Sequence, residues 1–391
     1  MNTKYNSLSR FEIVKAHNEQ RILNVLINSK IPLTRVELSK LTNLTKPTVN
    51  LIAKELEKNN LIAAVGNRPG LKGRSPTLYQ FNPDVENILA IDISPDTVRL
   101  ILADLFGRIV AEDEFEISQN DSDYLIREVD LATRKLLLNR KEPTEIVIGL
   151  PGVVSASGNE IKLTPNILAL QNEQFISDLR KIFSRPISFG HDINFAALGE
   201  MAQGAAIGME NFVFLLLDRG VGMGLVLNGK LYIGHQGFAG EVGFMPFGLR
   251  PLESTKSDRG SLEEYISTDN LQVILNKLRK QYETTLQANA TVDQIIYAAD
   301  HADSLARAVL DQWLEPIVLV VLSITSILNP EAIILGGALG LSNYLRTIVQ
   351  EKIEPLLPFH VEIIQSALGK RATILGAVST ARLNARTHLR N

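Results

Sequence analysis

Glycines and carboxylates crowd the stretch 237-GFAGEVGFMPFGLRPLESTKSDRGSLEEYIS-267, which closes on a Ser-Leu-Glu-Glu-Tyr run. Glycine lets a backbone approach a ligand closely, and a carboxylate oxygen accepts more than one hydrogen bond. The composition is that of a metal-and-ligand loop, yet it holds neither histidine nor cysteine, the usual zinc ligands. Two strand-like runs, 145-EIVIGLPG-152 and 332-AIILGGALG-340, also end at glycines where a ligand, a phosphate included, could meet the backbone.

A second chemistry lies at the front of the chain. Residues 1–83 carry 13 Lys/Arg against 5 Asp/Glu, a balance of +8, while residues 84–391 carry 27 against 38, a balance of −11. A basic head on an acidic body points to a polyanion partner for the head. Apolar periodicity predicts a helix over 17–30. A second starts at Thr34 with Glu37 at capping-box spacing, and a third runs over 45–60 with Thr45 as cap and Pro47 in the first turn. Strands at 61–65 and 77–81 flank a Gly/Pro/basic loop at 66–76, which makes a wing. In this winged helix-turn-helix, Lys46, Thr48 and Asn50 are expected at the major groove and Lys54 at phosphate. Arg68, Lys72 and Arg74 in the wing suit phosphate or a narrow minor groove. The alternative is a helical protein-interaction domain with a basic loop.

The elements that must position the loop follow from a repeat. Segments 88-ILAIDISPDTVRLILADLFGRIV-110 and 212-FVFLLLDRGVGMGLVLNGKLYIG-234 each read as an apolar strand ending in Asp, a short turn, a second strand, a tight Gly turn and a third strand. Two α/β lobes with a cleft between them are expected, and such clefts bind ligands. The chain, 391 residues with 45% apolar and 21% charged content, suffices for two or three domains of ordinary globular type. It has no cysteine, so disulfides and cysteine-held metals are excluded. No basic-then-apolar leader is visible, and the apolar run 317–329 is too short to span a bilayer and reads as a buried helix. A cytoplasmic protein is expected, with no membrane partner.

These residues together resemble the ROK family, the repressors, open reading frames and kinases, in its winged-helix repressor branch. The resemblance rests on 45-TKPTV-49, 73-GRSP-76, 150-LPGVV-154, 164-TPNI-167, 191-HDIN-194, 222-GMG-224, 239-AGEVG-243, 262-LEEY-265 and 333-IILGG-337 in order along nearly the whole chain. It implies an α/β fold in which a winged helix-turn-helix at 1–84 precedes two RNase H-like, actin-like/sugar-kinase lobes. Lobe one would span 85–200, completed by a C-terminal helix at 375–391. Lobe two, at 201–374, would carry the ligand loop and an oligomerisation surface for a homodimer or homotetramer.

The resemblance also assigns the loop. Family members place a zinc-binding His where Phe244 stands and three zinc-binding Cys where Ser254, Lys256 and Ser261 stand, so no cofactor is expected and the packing of Phe244, Met245 and Phe247 must brace the loop. Asp192, Glu241 and Glu263 match residues that hydrogen-bond sugar hydroxyls, His191 replaces an Asn, and Gly152 and Asn166 match the pocket edge. Read without the resemblance, the two glutamates could cap a helix or pair with Arg250 or Arg259, and Asp192 could be an N-cap.

Asp192 also matches the base of family sugar kinases, here vestigial because the phosphate cradle is damaged. The family's Asp-x-Gly-Gly-Thr is Asp92-Ile93-Ser94-Pro95-Asp96-Thr97, where proline lacks an N–H and Asp96 repels phosphate. The family's Gly-Thr-Gly-x-Gly is Gly220-Val221-Gly222-Met223-Gly224, without the hydroxyl. The expected function is a DNA-binding repressor of carbohydrate-utilisation genes, its affinity for a double-stranded operator set by a sugar or sugar derivative in the cleft, with no enzymatic activity. The alternatives are an ATP-dependent sugar kinase, and a regulator that has lost its sugar response and answers to a protein partner.

Overall fold

Capping hydroxyls start the head's helices. Thr34 and Glu37 form a reciprocal capping box at the start of helix Arg35–Thr42, and Asn43, in the left-handed region at φ 52°, ends it. Thr45 caps helix Lys46–Lys58, where Pro47 sits in the first turn. The helix expected over 17–30 is longer, Arg10–Asn28, because no glycine or proline interrupts those residues. The structure, a computed structural model, describes residues 10–29, 31–68, 75–154, 160–163, 167–218, 220–247, 260–266 and 268–388. The wing is a three-stranded sheet in which Thr77–Phe81 lies between Leu33–Thr34 and Ile62–Asn67.

The internal repeat is two five-stranded sheets of one topology. In the first, Asn87–Ile93, Thr97–Asp104 and Ile109–Glu116 form an antiparallel meander, and Pro143–Leu150 and Ile187–His191 add in parallel on the other side of Asn87–Ile93. In the second, Phe212–Leu217, Val221–Leu227 and Lys230–Leu231 form the meander, and Ala332–Gly336 and Glu362–Gln365 add in parallel. The second meander turns at Asn228 and Gly229, both at positive φ, as a tight hairpin of the right-handed strand twist requires.

Two helices join the halves. Asp192–Gln203 leaves the last strand of the first sheet and packs Ile193, Ala196 and Ala197 with Phe212, Phe214 and Val226 of the second. The chain returns as Ala372–His388, which lays Ile374, Ala377 and Val378 among Ala90, Ala103 and Val147 of the first sheet. The two helices cross in backbone contact: a Cβ on Gly199 would lie 2.1 Å from the Ala372 carbonyl oxygen, and one on Gly376 would lie 1.8 Å from that of Phe195. The head joins the same apolar cluster, with Phe81 edge-on to Phe106 at 6.1 Å.

Helix Ser304–Leu328 holds the apolar run at 317–329 up to its C-cap, Asn329. It is long and apolar enough to cross a membrane by length and composition. Its Val309, Leu310, Trp313, Leu314, Ile317 and Val321 are instead fully buried in the second lobe's core, which accounts for its apolar sequence.

Candidate functional site

In the head, helix Lys46–Lys58 buries Val49, Ile52, Ala53 and Leu56 and leaves Lys46, Asn50 and Lys54 exposed. Thr48 differs from its neighbours. It is half-buried, with its hydroxyl 2.8 Å from that of Thr45 and its N–H donating to the Thr45 oxygen, so it belongs to the cap. Arg68 donates to Glu37 at 2.6 Å and its backbone N–H to Pro76 O at 3.0 Å, which ties the wing's first strand to the second helix. The Thr34 backbone and Arg68 together hold the Glu37 carboxyl down at about 2. Lys72 and Arg74 lie outside the described residues.

Between the lobes runs a cleft of about 690 Å³ lined by Gly152, His191, Asp192, Glu241 and Glu263 among others. Asp192 is the first residue of its helix and His191 the N-cap; Asp192 Oδ1 accepts from Ile193 N at 2.7 Å. His191 stands between two acids, with Nε2 3.3 Å from Asp192 Oδ1 and Nδ1 3.7 Å from Glu241 Oε1. Burial pushes Asp192 up to about 7, raises Glu241 and lowers His191, so the imidazole is neutral at pH 7. Glu263, on helix Ser261–Ile266, is buried with its carboxylate beside Gly243. Gly240 sets Glu241: at φ 97°, any Cβ there would lie 1.8 Å from the Met223 carbonyl oxygen. Asn166 lies outside the described residues.

The loop is braced differently from the expectation. Met245 and Phe247 pack against the second lobe's core, and Phe247 meets Tyr265 edge-on at 5.0 Å. Phe244 does not join them. It is 44% exposed and lines the cleft, because the 3-10 turn Val242–Phe244 directs Val242 inward instead. Ser261 supplies a polar clamp: its hydroxyl donates to Met245 O at 2.9 Å and accepts from Phe247 N at 3.2 Å. The zinc set of the resemblance is thus replaced by Phe244 and by serine and lysine in a chain without cysteine, and no group of three His, Cys, Asp or Glu able to hold a metal occurs among the described residues. Ser254 and Lys256 lie outside them.

The same cleft carries further acids. Asp92, Asp96, Asp218, Asp293 and Asp300 line it. In the turn 94–97, the Ser94 N–H is taken by Thr97 O at 2.9 Å, and Pro95 has none. Asp218 accepts from Ala338 N at 3.2 Å, where the chain enters the short helix Gly337–Gly340. The second glycine of 222-GMG-224 has a packing reason: a Cβ on Gly224 would lie 2.8 Å from the Ile193 carbonyl oxygen, against the connecting helix.

Sequence reasoning missed Arg99. Strand register sets it opposite both Asp92 and Glu114, and its guanidinium forks onto Glu114 at 3.1 and 3.2 Å while standing 3.7 Å from Asp92. Burial, with Asp192 nearby, pushes Asp92 up to about 7 in spite of that partner. Only the pairing of three strands reveals the row. Asp218 was visible as the acid ending the second repeat's first strand, the counterpart of Asp92.

Residues 88–383 match the family model described as the ROK family. The chain is 28% identical to the xylose repressor of Caldicellulosiruptor bescii over 94% of this chain and 96% of that one. It is 24% identical to the DNA-binding transcriptional dual regulator NagC of Escherichia coli, over 84% and 82%. Among solved structures, a ROK family transcriptional regulator, a homolog of the E. coli MLC protein, aligns over 96% of this chain and 98% of that one with a TM-score of 0.74 at 23% identity. A ROK family glucokinase from Streptomyces griseus covers 76% of this chain and 99% of its own, with a TM-score of 0.65 at 20% identity.

Proposed function

Because the chain belongs to the ROK family, we propose that it is a DNA-binding transcriptional regulator, a repressor of carbohydrate-utilisation genes. A sugar or sugar derivative in the inter-lobe cleft sets its affinity for a double-stranded operator. The observation that supports this reading is the lining of the cleft: carboxylates suited to hydroxyl donors persist there, while the turn 94–97, where a nucleotide phosphate would need backbone donors, carries Pro95 and Asp96. The capped, exposed face of Lys46–Lys58 supplies the reading helix. Asn50 and Lys46 meet base edges, Lys54 phosphate, and Arg68, Lys72 and Arg74 the backbone beside the wing.

In the cleft Asp192, Glu241 and Glu263 accept from sugar hydroxyls, His191 holds the first two apart, and Gly152 and Asn166 border the ring. Xylose and N-acetylglucosamine, the sugars in relatives' names, head the ligand panel. The protein works in the cytoplasm as a homodimer or homotetramer, since an operator of two half-sites asks for two heads. Effector and operator oppose each other through differential affinity for two conformations: a 100-fold preference supplies about 2.7 kcal/mol. Mobility shift of sheared genomic DNA at low salt, with and without each sugar, tests the reading; no retarded fragment ends it.

A second reading, a sugar kinase, draws on Asp192, whose carboxyl at about 7 suits a general base. Pro95 and Asp96 in the turn 94–97 argue against it, and a coupled ADP-release assay over the same sugars decides: turnover abolished in Asp192→Asn would establish the kinase.

A further inference from the structure

The face of helix Lys46–Lys58 opposite its buried residues runs, at 100° per residue, along Pro47, Leu51, Lys54 and Lys58. All four are exposed, with Asn50 alongside. Leu51 is the anomaly. It is 62% exposed in the middle of a basic and amide face and contributes nothing to the head's core. A major groove offers such a side chain one apolar feature, the thymine 5-methyl group.

Its neighbour Asn50 is positioned. Arg35 reaches Asn50 Oδ1 at 3.5 Å and is itself fixed by donating to the Tyr79 hydroxyl at 2.5 Å, its guanidinium lying 4.9 Å from that ring's centre. An asparagine amide held in one orientation matches the N6 and N7 edge of adenine. Thr48, turned into the cap, leaves the middle of the face to these two residues.

We propose that Leu51 is a specificity-determining residue that packs on a thymine 5-methyl group in the major groove, next to an adenine read by Asn50. The inference rests on the operator-binding reading and adds to it which bases the helix selects. The other occupant an exposed leucine could have, a protein surface, is an outcome of the test.

The full-length protein is used to enrich sites from a random-sequence duplex library. Each thymine of the enriched site is then replaced singly by deoxyuridine, which removes the methyl group and nothing else. In the wild type one replacement per half-site weakens binding about 4-fold, the factor that burial of a single methylene-sized group supplies. Leu51→Ala binds the thymine site weakly and is indifferent to that replacement, while Leu51→Met keeps the sensitivity. Enrichment of a site whose thymines can all be replaced without loss overturns the proposal alone and leaves Leu51 to a protein contact. So does a Leu51→Ala protein that retains the wild-type sensitivity. Failure to enrich any site overturns the operator-binding reading and this proposal with it.

Discussion

His191 Nδ1 stands 3.7 Å from Glu241 Oε1, so the end of the first sheet's strand Ile187–His191 faces a loop hung from the second sheet. With the imidazole neutral, the contact is a dipole against a carboxyl rather than an ion pair. The lobes therefore meet here through a weak contact that the hydroxyls of a bound sugar would replace with charge-assisted hydrogen bonds.

Asp192→Asn and Glu263→Gln are each expected to weaken sugar binding roughly 10- to 100-fold, the usual effect of losing a hydrogen bond to a charged group. Titration calorimetry with the sugar that raises the melting temperature measures it. Unchanged heats in both variants would remove the carboxylates from the site.

The same carboxyls set a pH dependence. Asp92 and Asp192 both lie at about 7 against an ordinary 3.8, raised first by burial. The folded protein then binds protons more tightly than the unfolded chain, and these two groups lower its stability as pH rises from 3.8 to about 7. Melting curves across that window should show a steeper fall for the wild type than for Asp92→Asn or Asp192→Asn. Sugar hydroxyls favour the ionised Asp192, so sugar affinity should rise with pH through about 7 in the wild type and stay flat in Asp192→Asn.

The turn 94–97 predicts a gain of function in binding. Pro95→Gly with Asp96→Gly restores one backbone donor and removes a charge from the turn between Ile93 and Thr97. A fluorescent ATP analogue should bind this double variant at least several-fold more tightly than the wild type, and Asp218→Gly should add to the gain. A wild type that already binds the analogue as tightly as the variants would contradict the account of the damaged cradle.

In the head, Glu37 closes the capping box and holds Arg68. Glu37→Gln keeps the first role and loses the second; Glu37→Ala loses both and should cost about 1 kcal/mol of head stability. Because the carboxyl is held at about 2 against an ordinary 4.5, its contribution is complete above pH 4.5 and is lost as pH falls toward 2. Hydrogen exchange of the second helix follows it directly. Glu37→Gln should abolish this acid sensitivity, whereas Arg68→Ala should only reduce it, because the Thr34 backbone hydrogen bond remains.

What could be read in advance was local. Thr34 with Glu37, Thr45 before Pro47, and the Asn228–Gly229 turn each carry their geometry in neighbouring residues. The doubled strand pattern likewise carries two sheets of one topology. What escaped depends on residues far apart in the chain. Arg99 gains its meaning from two strand registers, Arg68 from a helix 31 positions earlier, and Phe244 from the turn that directs it into the cleft. The glycines at 222 and 224 suggested phosphate geometry, whereas the backbone of the passing helix is what crowds the second.

The crossing of Asp192–Gln203 with Ala372–His388 has glycines at its centre, so the two backbones touch and the rods cannot be driven closer. That makes it a rigid junction. One arm begins at Asp192, where a sugar would lodge; the other lies under the sheet whose rim holds Phe106 against Phe81. Should a sugar at Asp192 tilt the first rod, rigid elements alone would join that tilt to the angle of the head.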